Sequence, residues 1–183
     1  VDSSLYESVL QVMESMIPEY AINGHKRTRT GSVLPKIAPS NVYPCSDGEY
    51  LIGANQDAVF ARLCTAMGRP QLATDARYAT HLARGDHQTE LDILVGEWTV
   101  TLTVQELEDL MIEHAVPAGR VFDAEDMMAD PHFAVREAII EVEDPVLGKV
   151  AMQGVFPKLS ATPGSVRRPA PLEVAQDTAE ILQ

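Results

Sequence analysis

The sequence predicts a mixed α/β fold in which short β-hairpins pack against a few helices. In Ala38–Ala54, two extended runs flank Ser46–Gly48, and Asp-Gly between such runs is a strong hairpin signal because a tight primed turn needs positive φ. Pro44 cannot donate a ladder hydrogen bond, so its strand is expected to be an edge strand or to end there. A second pair of strand-like runs, Ala138–Glu143 and Lys149–Phe156, predicts another hairpin. Elsewhere, apolar residues recur at helical spacing.

Length and composition exclude several classes of protein. The 183 residues suffice for one domain with a core, or for one domain plus extensions. Lys and Arg total 14 against 27 Asp and Glu, and the net charge of −13 argues against nucleic acid or an anionic membrane as the main partner. We find no membrane-spanning run and no signal-peptide pattern. Cys45 and Cys64 form no disulfide framework or zinc spacing, which favours a reducing cytoplasm.

The first predicted helix begins at a capping signal. Ser4 is a good N-cap, and Glu7 follows three residues later, as in a capping box. Apolar residues then recur at helical spacing through Leu5–Met16, and Pro18 should end or bend the helix. The broad apolar face needs a partner, which is either the rest of this chain or a domain outside it.

A polar, irregular segment follows, Gly24–Pro39, which we call the basic loop. It carries hydroxyl groups and a glycine together with five basic or potentially basic residues: His25, Lys26, Arg27, Arg29 and Lys36. Such a loop can bind phosphates or a carboxylate through charge-assisted hydrogen bonds. The alternative is a solvated surface loop without a ligand.

Three further helices are predicted in the middle of the chain. Asp57–Met67 is followed by Gly68–Pro70, which should end it, and Arg84–Thr101 returns to helical spacing. Thr103 and Glu106 form a second capping box before the third helix. The side chains expected to face the core from these helices are Val59, Phe60, Leu63, Cys64, Met67, Leu91, Leu94, Val95, Trp98, Leu107, Leu110 and Met111.

The last third of the sequence predicts short elements. Ala118–Phe122 has the pattern of a short strand, and Ala124–Ala129 that of a brief helix before the second hairpin. The stretch Val155–Pro171 is too rich in proline for a helix and predicts an extended tether. Asp177–Leu182 is expected to form a final helical turn.

Residues with catalytic chemistry form no recognisable motif. The sequence lacks the nucleophile-elbow, Walker, zinc-protease and dinucleotide-binding patterns. His81 and His87 lie near Asp86, but this spacing matches no metal signature, and His114 and His132 have the positions of structural residues. The residues alone therefore indicate a mixed α/β module of unknown activity.

Several stretches, taken in order, resemble the family III CoA-transferases, which include formyl-CoA transferase, carnitine CoA-transferase and the α-methylacyl-CoA racemases. No single stretch is diagnostic, but the collinear set covers nearly the whole chain. The matching stretches are VDSSLYESVL at Val1–Leu10, APSNVYPCSDGEYLIGA at Ala38–Ala54, FARLCTAMGRPQLATDARYAT at Phe60–Thr80, VPAGRVFDAEDMMADPHFAVREAI at Val116–Ile139 and FPKLSATPG at Phe156–Gly164.

The resemblance implies that the chain is the C-terminal portion of a longer enzyme. Family members have a large Rossmann-like domain built from both chain ends and a smaller inserted domain, and two protomers interlock as a homodimer. Residues 1–24 would then be a helix and linker of the truncated large domain. Residues 25–157 would be the small α/β domain, and residues 158–183 a Pro-rich linker and returning tail.

The resemblance also implies a reaction. An aspartate upstream of this chain attacks an acyl-CoA thioester, and CoA passes through an aspartyl-CoA intermediate to a second carboxylic acid, without a metal. This chain would hold no catalytic residue and would be inactive alone. A mobile lid that shields the intermediate from water would lie at Arg29, Thr30, Gly31 and Ser32.

Two alternatives remain open. The same fold can carry out racemisation of a 2-methylacyl-CoA. A non-catalytic interaction module would instead use the apolar face of Leu5–Met16 to bind a partner.

Overall fold

The computed structural model of the protein describes residues 4–168 and 170–182. The chain divides into two compact units, Val1–Val121 and Phe122–Gln183. In the described residues, helices accompany one three-stranded and one two-stranded antiparallel sheet, which confirms the mixed α/β fold class. The domain boundaries expected at residues 24 and 157 stay predictions.

The first unit holds the predicted hairpin. Its helices are α1 (Leu5–Gln11), α2 (Met16–Asn23), α3 (Asp57–Ala66), α4 (His81–Asp86), α5 (Gln88–Thr99) and α6 (Val104–Glu113), with a 3₁₀ helix at Pro70–Thr74. Its strands are β1 (Ser40–Pro44), β2 (Glu49–Gly53) and β3 (Ala118–Arg120). Because β2 pairs antiparallel with both others, β1 is an edge strand, and Pro44 lies at its end as expected.

The core of the first unit lies between this sheet and the helices. Alternation along β2 buries Tyr50 and Ile52 and leaves Leu51 exposed. Helices α3, α5 and α6 bury the faces that their spacing predicted, and Cys64 is a fully buried core residue. The largest apolar side chains of this core are Tyr43, Tyr50, Ile52, Phe60, Leu63, Tyr78, Leu91, Leu107 and Met111.

The hairpin turn differs from the expected primed turn. The Cys45 N–H donates to the Gly48 carbonyl at 2.8 Å, yet neither Asp47 nor Gly48 has a positive φ. The turn packs on the start of α6, where Asp47 Oδ1 accepts a hydrogen bond from the Val104 N–H at 2.7 Å. A Cβ at position 48 would lie 3.1 Å from Val104 Cγ2. Glycine is therefore explained here by close packing and not by backbone conformation.

The first helix is shorter than predicted. The capping box of Ser4 and Glu7 is present, but α1 ends at Gln11 and the chain turns before α2 begins. Pro18 lies in the first turn of α2, where a missing N–H costs no helical hydrogen bond. The prediction that Pro18 ends or bends the first helix was wrong. None of the described residues of α1 and α2 is buried, and Leu5 is 91% exposed.

The helix predicted over Arg84–Thr101 is two helices. Thr80 caps α4, and the chain leaves the helical conformation at His87 before α5 begins. A Cβ at Gly85 would lie 2.6 Å from the Lys36 carbonyl oxygen. The direction of α4 is therefore set by a tertiary contact with a segment about fifty residues earlier.

The second unit is built around the second predicted hairpin. Its elements are α7 (Ala124–Ala129), α8 (Pro131–Val135), β4 (Ile139–Asp144), β5 (Gly148–Gln153) and α9 (Thr178–Ile181). Strands β4 and β5 pair antiparallel, and Asp144 Oδ1 accepts hydrogen bonds from two turn N–H groups, which confirms this hairpin. The described residues of this unit include no fully buried side chain.

Arg84 is a fully buried charged residue of the first unit. Its guanidinium stacks over the Phe60 ring, 4.7 Å from the ring centroid. It donates hydrogen bonds to three carbonyl oxygens and one carboxylate: Ala38 O at 3.1 Å, Tyr78 O at 2.8 Å, Asn55 O at 2.8 Å and Asp57 Oδ1 at 2.6 Å. The planar fork of an arginine suits several acceptors at once, which a lysine ammonium does not.

We expect Arg84→Lys to lower the free energy of unfolding by about 3 kcal/mol or more, because buried carbonyls lose their donors. Urea denaturation of the 183-residue chain measures the change. The matched control is Arg69→Lys, since Arg69 is exposed and its side chain makes no hydrogen bond or ion pair among the described residues; its effect should stay within about 0.5 kcal/mol. A loss below about 1 kcal/mol for Arg84→Lys would contradict the structural role of this network.

Candidate functional site

The four residues expected to form a lid lie together in the exposed basic loop. Gly31 has a φ of +67°, and a Cβ there would meet nothing within 4 Å. Thr30 Oγ1 donates to the Val33 carbonyl at 2.7 Å, and Ser32 Oγ donates to Asn41 Oδ1 at 2.6 Å. Arg29 is exposed, and its guanidinium forms no hydrogen bond or ion pair within the described chain. The lid role of these four residues stays a prediction.

Arg27 anchors the loop near its beginning. Its guanidinium donates to both carboxylate oxygens of Glu19, at 2.8 and 2.6 Å, and to Ser15 Oγ at 2.9 Å. Hydrogen bonding from Arg27 lowers the pKa of Glu19 to about 2. The carboxylates of Glu19 at 2.6 Å and Glu14 at 3.5 Å therefore neutralise this arginine, and it is not available to a ligand in this conformation.

Gln88 anchors the loop near its end. The Lys36 N–H donates to Gln88 Oε1 at 2.9 Å, while Gln88 Nε2 donates to the carbonyls of Leu34 at 2.8 Å and Ile37 at 3.1 Å. Lys36 Nζ also pairs with Asp86 at 2.8 Å. A groove of about 450 Å³ lies between this end of the loop and the junction of α4 with α5.

The contacts at the two ends of the loop leave less positive charge for a ligand than the five basic residues of the loop suggest. Of the five basic residues, Arg27 and Lys36 are paired with carboxylates of the same unit. The cations that a ligand can reach are therefore His25, when protonated, Lys26 and Arg29, all of them exposed. A negatively charged ligand would meet the loop between its anchors and not along its whole length.

A half-buried acid, Asp92, is connected to the loop through hydrogen bonds. Asp92 Oδ1 accepts a hydrogen bond from the Tyr43 hydroxyl at 2.5 Å. Burial raises the pKa of Asp92, although hydrogen bonding from the side chains of Tyr43 and Asn41 opposes the rise. Burial, and then the neighbouring carboxylate, raises the pKa of Tyr43. Because Asn41 also accepts from Ser32, this network connects the loop to the core.

Two histidines and one cysteine that could carry chemistry instead contact backbone carbonyls or lie in the core. His81 Nδ1 lies 3.0 Å from the Asn55 carbonyl, and His87 Nδ1 lies 3.0 Å from the Ala83 carbonyl. Burial raises the pKa of the Cys64 thiol to about 11, so it is protonated at neutral pH.

Residues 4–168 and 170–182 contain neither a metal-binding cluster nor a membrane-spanning helix. Within that range no three His, Cys, Asp or Glu side chains are grouped so that they could hold a metal ion. Within it, too, no helix combines the length and apolar character needed to cross a bilayer. The absence of a metal requirement and of a catalytic residue in this chain stay predictions.

Sequence reasoning missed Gln88, Gly85 and the buried state of Arg84. A glutamine at the start of a helix carries no signal for a contact fifty residues earlier. A glycine directly after an arginine in a helical segment was a weak indication of close packing, because glycine lowers helix stability without such a reason.

Asp92→Asn tests the half-buried acid. Because the native pKa of Asp92 lies above its ordinary value, the native state binds more protons than the unfolded state between the two pKa values. Asp92 therefore contributes to the free energy of unfolding at low pH, and this contribution is lost as the pH rises from the unfolded to the native pKa. We expect Asp92→Asn to become more stable relative to the natural chain between pH 3.5 and pH 7, by urea unfolding.

The exposed Asp109 supplies the matched control for this measurement. Asp109→Asn is measured by urea unfolding at the same two pH values, which gives the effect of an exposed aspartate-to-asparagine change for comparison. A difference between Asp92→Asn and the natural chain that stays constant or reverses with rising pH would contradict a raised native pKa.

The chain is similar in sequence to a known family of enzymes. The model of CoA-transferase family III matches residues 1–178. The chain is 57% identical over 167 residues to the succinyl-CoA–D-citramalate CoA-transferase of Chloroflexus aurantiacus, covering 91% of this chain and 42% of that protein. It is 33% identical over 186 residues to the succinyl-CoA–L-malate CoA-transferase beta subunit of the same organism, covering 100% of this chain and 46% of that subunit.

A solved structure shows the same fold. The crystal structure of a CAIB/BAIF family protein from Brucella suis superposes with a TM-score of 0.75 at 27% identity, covering 100% of this chain and 47% of that chain. The present chain thus spans less than half the length of each of these proteins. The resemblance stated from the sequence is confirmed: the chain belongs to CoA-transferase family III.

Proposed function

We propose that this chain is the C-terminal part of an enzyme that moves CoA from succinyl-CoA to a hydroxy-dicarboxylic acid such as citramalate. The observation that carries the proposal is the 57% identity to the D-citramalate enzyme over 91% of the chain. Both relatives have names that pair succinyl-CoA with a hydroxy-dicarboxylic acid, which favours transfer over racemisation.

The proposed reaction uses a carboxylate nucleophile outside this chain. An aspartate attacks the succinyl-CoA thioester, forming a mixed anhydride and releasing the CoA thiolate. The thiolate attacks the aspartyl carbonyl, giving aspartyl-CoA and free succinate. The acceptor carboxylate attacks aspartyl-CoA to form a second anhydride and releases the thiolate again. The thiolate then attacks the acceptor's acyl carbon, giving its CoA thioester and restoring the aspartate.

In this reaction the basic loop has two roles. The anhydrides hydrolyse in water, so a loop that closes over them protects the acyl group. Succinyl and citramalyl groups each carry a second carboxylate, and a free guanidinium binds such a group with two parallel hydrogen bonds. Arg29 is the arginine of the loop whose guanidinium is not paired within the described chain, since Arg27 is held by Glu19.

A hybrid transferase tests the proposal. The N-terminal portion of the Chloroflexus aurantiacus D-citramalate relative is joined to residues 1–183, and succinyl-CoA and D-citramalate are supplied. We expect the hybrid to form the citramalyl thioester and the 183-residue chain alone to form none. The intact relative is the positive control. Transfer by the chain alone, or no transfer by a folded hybrid, would refute the proposal.

Arg29→Gln in the hybrid should raise the KM for D-citramalate about ten- to hundredfold, because a charge-assisted hydrogen bond to the distal carboxylate is lost. The KM for a monocarboxylic hydroxy acid of similar size should stay within about twofold, since it has no second carboxylate for this bond. Steady-state kinetics measures both, and Arg69→Gln is the matched control on an exposed arginine outside the loop. Equal KM changes for the two acceptors would show that Arg29 does not bind the distal carboxylate.

The first two helices favour a role of this chain in association with another protein or with a second copy. Since no described residue of α1 or α2 is buried, their apolar side chains are available for association, as an interaction module or a homodimer would require. Sedimentation of the 183-residue chain tests the homodimer, and a monomer at high concentration would argue against it. A cytoplasmic location, consistent with the two free cysteines, and the exclusion of nucleic acid and membranes also stay proposals.

A further inference from the structure

The last part of the basic loop is fixed far more firmly than its middle. Between Leu34 and Ile37, three backbone groups hydrogen-bond to the amide of Gln88. The amide uses its oxygen as acceptor and its nitrogen as a double donor, so all three bonds depend on its exact chemistry. The exposed pair between Lys36 and Asp86 adds little to this, as surface ion pairs generally do.

Direct packing of two backbones also holds the last part of the loop in place. A Cβ at Gly85 would lie 2.6 Å from the Lys36 carbonyl oxygen, so α4 lies against the loop with no side chain between them. Lys36 itself has a φ of +67°, in the left-handed region that non-glycine residues seldom adopt. Such a strained backbone conformation is kept only where the surrounding contacts hold it in place.

The middle of the loop has few contacts. Thr28 and Arg29 are exposed, and a Cβ at Gly31 would meet nothing within 4 Å. The Thr30 hydroxyl bonds three residues ahead, within the loop itself. Ser32, the residue after Gly31, donates a hydrogen bond to Asn41 of β1. Segments with few buried contacts open at low free energy, so the middle of the loop can move while its end does not.

We propose that Gln88 and Gly85 form a fixed base for the basic loop, which holds Leu34–Ile37 on α4 and α5 while Thr28–Gly31 moves. The functional half of this inference rests on the proposed function. If the loop is a lid, a fixed base returns Arg29 to the same position at each closure. Gln88 is then a positioning residue, since it acts through the backbone of Lys36 and its neighbours.

Hydrogen exchange on the natural 183-residue chain tests the fixed base without any variant. After correction for intrinsic rates, the Lys36 amide should exchange at least about tenfold more slowly than the amides of Thr28 and Arg29, since its hydrogen bond to Gln88 must break first. Equal exchange of the three amides would overturn the proposal.

Limited trypsin digestion provides a second test, because the loop offers cleavage after Arg29 and after Lys36. Gln88→Ala should speed cleavage after Lys36 at least about tenfold and leave cleavage after Arg29 unchanged. Gly85→Ala should act in the same direction by pushing Lys36 away. The control is Gln71→Ala, since Gln71 is exposed and its side chain makes no hydrogen bond among the described residues. Unchanged cleavage after Lys36 in folded Gln88→Ala would overturn the proposal; if that variant does not fold, hydrogen exchange decides.

The positioning role is tested in the hybrid transferase with Gln88→Glu, which keeps the acceptor for the Lys36 N–H and removes both donors. The ratio of succinyl-CoA hydrolysis to CoA transfer should rise at least about threefold, whereas a loss of stability alone would leave this ratio unchanged. An unchanged ratio would overturn the positioning role. A hybrid that never transfers CoA would refute the proposed function instead, and the exchange result would still decide whether the base is fixed.

Discussion

The guanidinium of Arg84 joins three segments of the first unit that are far apart in sequence. It binds the carbonyl of Ala38 at the end of the basic loop, the carbonyl of Asn55 and the carboxylate of Asp57 at the start of α3, and the carbonyl of Tyr78 before α4. Burying a guanidinium is unfavourable unless its donors are satisfied, so these acceptors must lie where the fold places them.

The geometry of the loop follows from this interaction. Because Arg84 is held in the core, the next residue, Gly85, is brought against Lys36, and α5 begins where the Gln88 amide can reach the loop. The same arginine thus supports the fold around α4 and the position proposed for the base of the loop. A change that released Arg84 would disturb the loop even though Arg84 does not touch its exposed middle part.

Local signals predicted much of the fold. The Ser4–Glu7 and Thr103–Glu106 capping boxes, the helix at Ala124–Ala129 and both hairpins depend on residues a few positions apart, and the structure confirms each of them. The break between α4 and α5 and the conformation of the Asp47–Gly48 turn were not predictable. Each depends on packing against a segment about fifty residues away, which periodicity and turn propensity do not describe.

The candidate site was predictable to a smaller extent. The resemblance selected Arg29–Ser32, but the composition of the loop overstated its free charge, since Arg27 and Lys36 are neutralised by Glu19 and Asp86. Gln88 carries no signal of its own in the sequence. Its importance comes from three backbone groups that the fold presents to one amide.

We infer that this chain supplies scaffold and loop for a thioester exchange whose nucleophile lies elsewhere. Peptide mass spectrometry of the hybrid transferase, after reaction with succinyl-CoA and trapping of the intermediate by borohydride reduction, locates that nucleophile. We expect the modified carboxylate to lie in the N-terminal portion and residues 1–183 to carry no modification. A trapped carboxylate within residues 1–183 would overturn this inference.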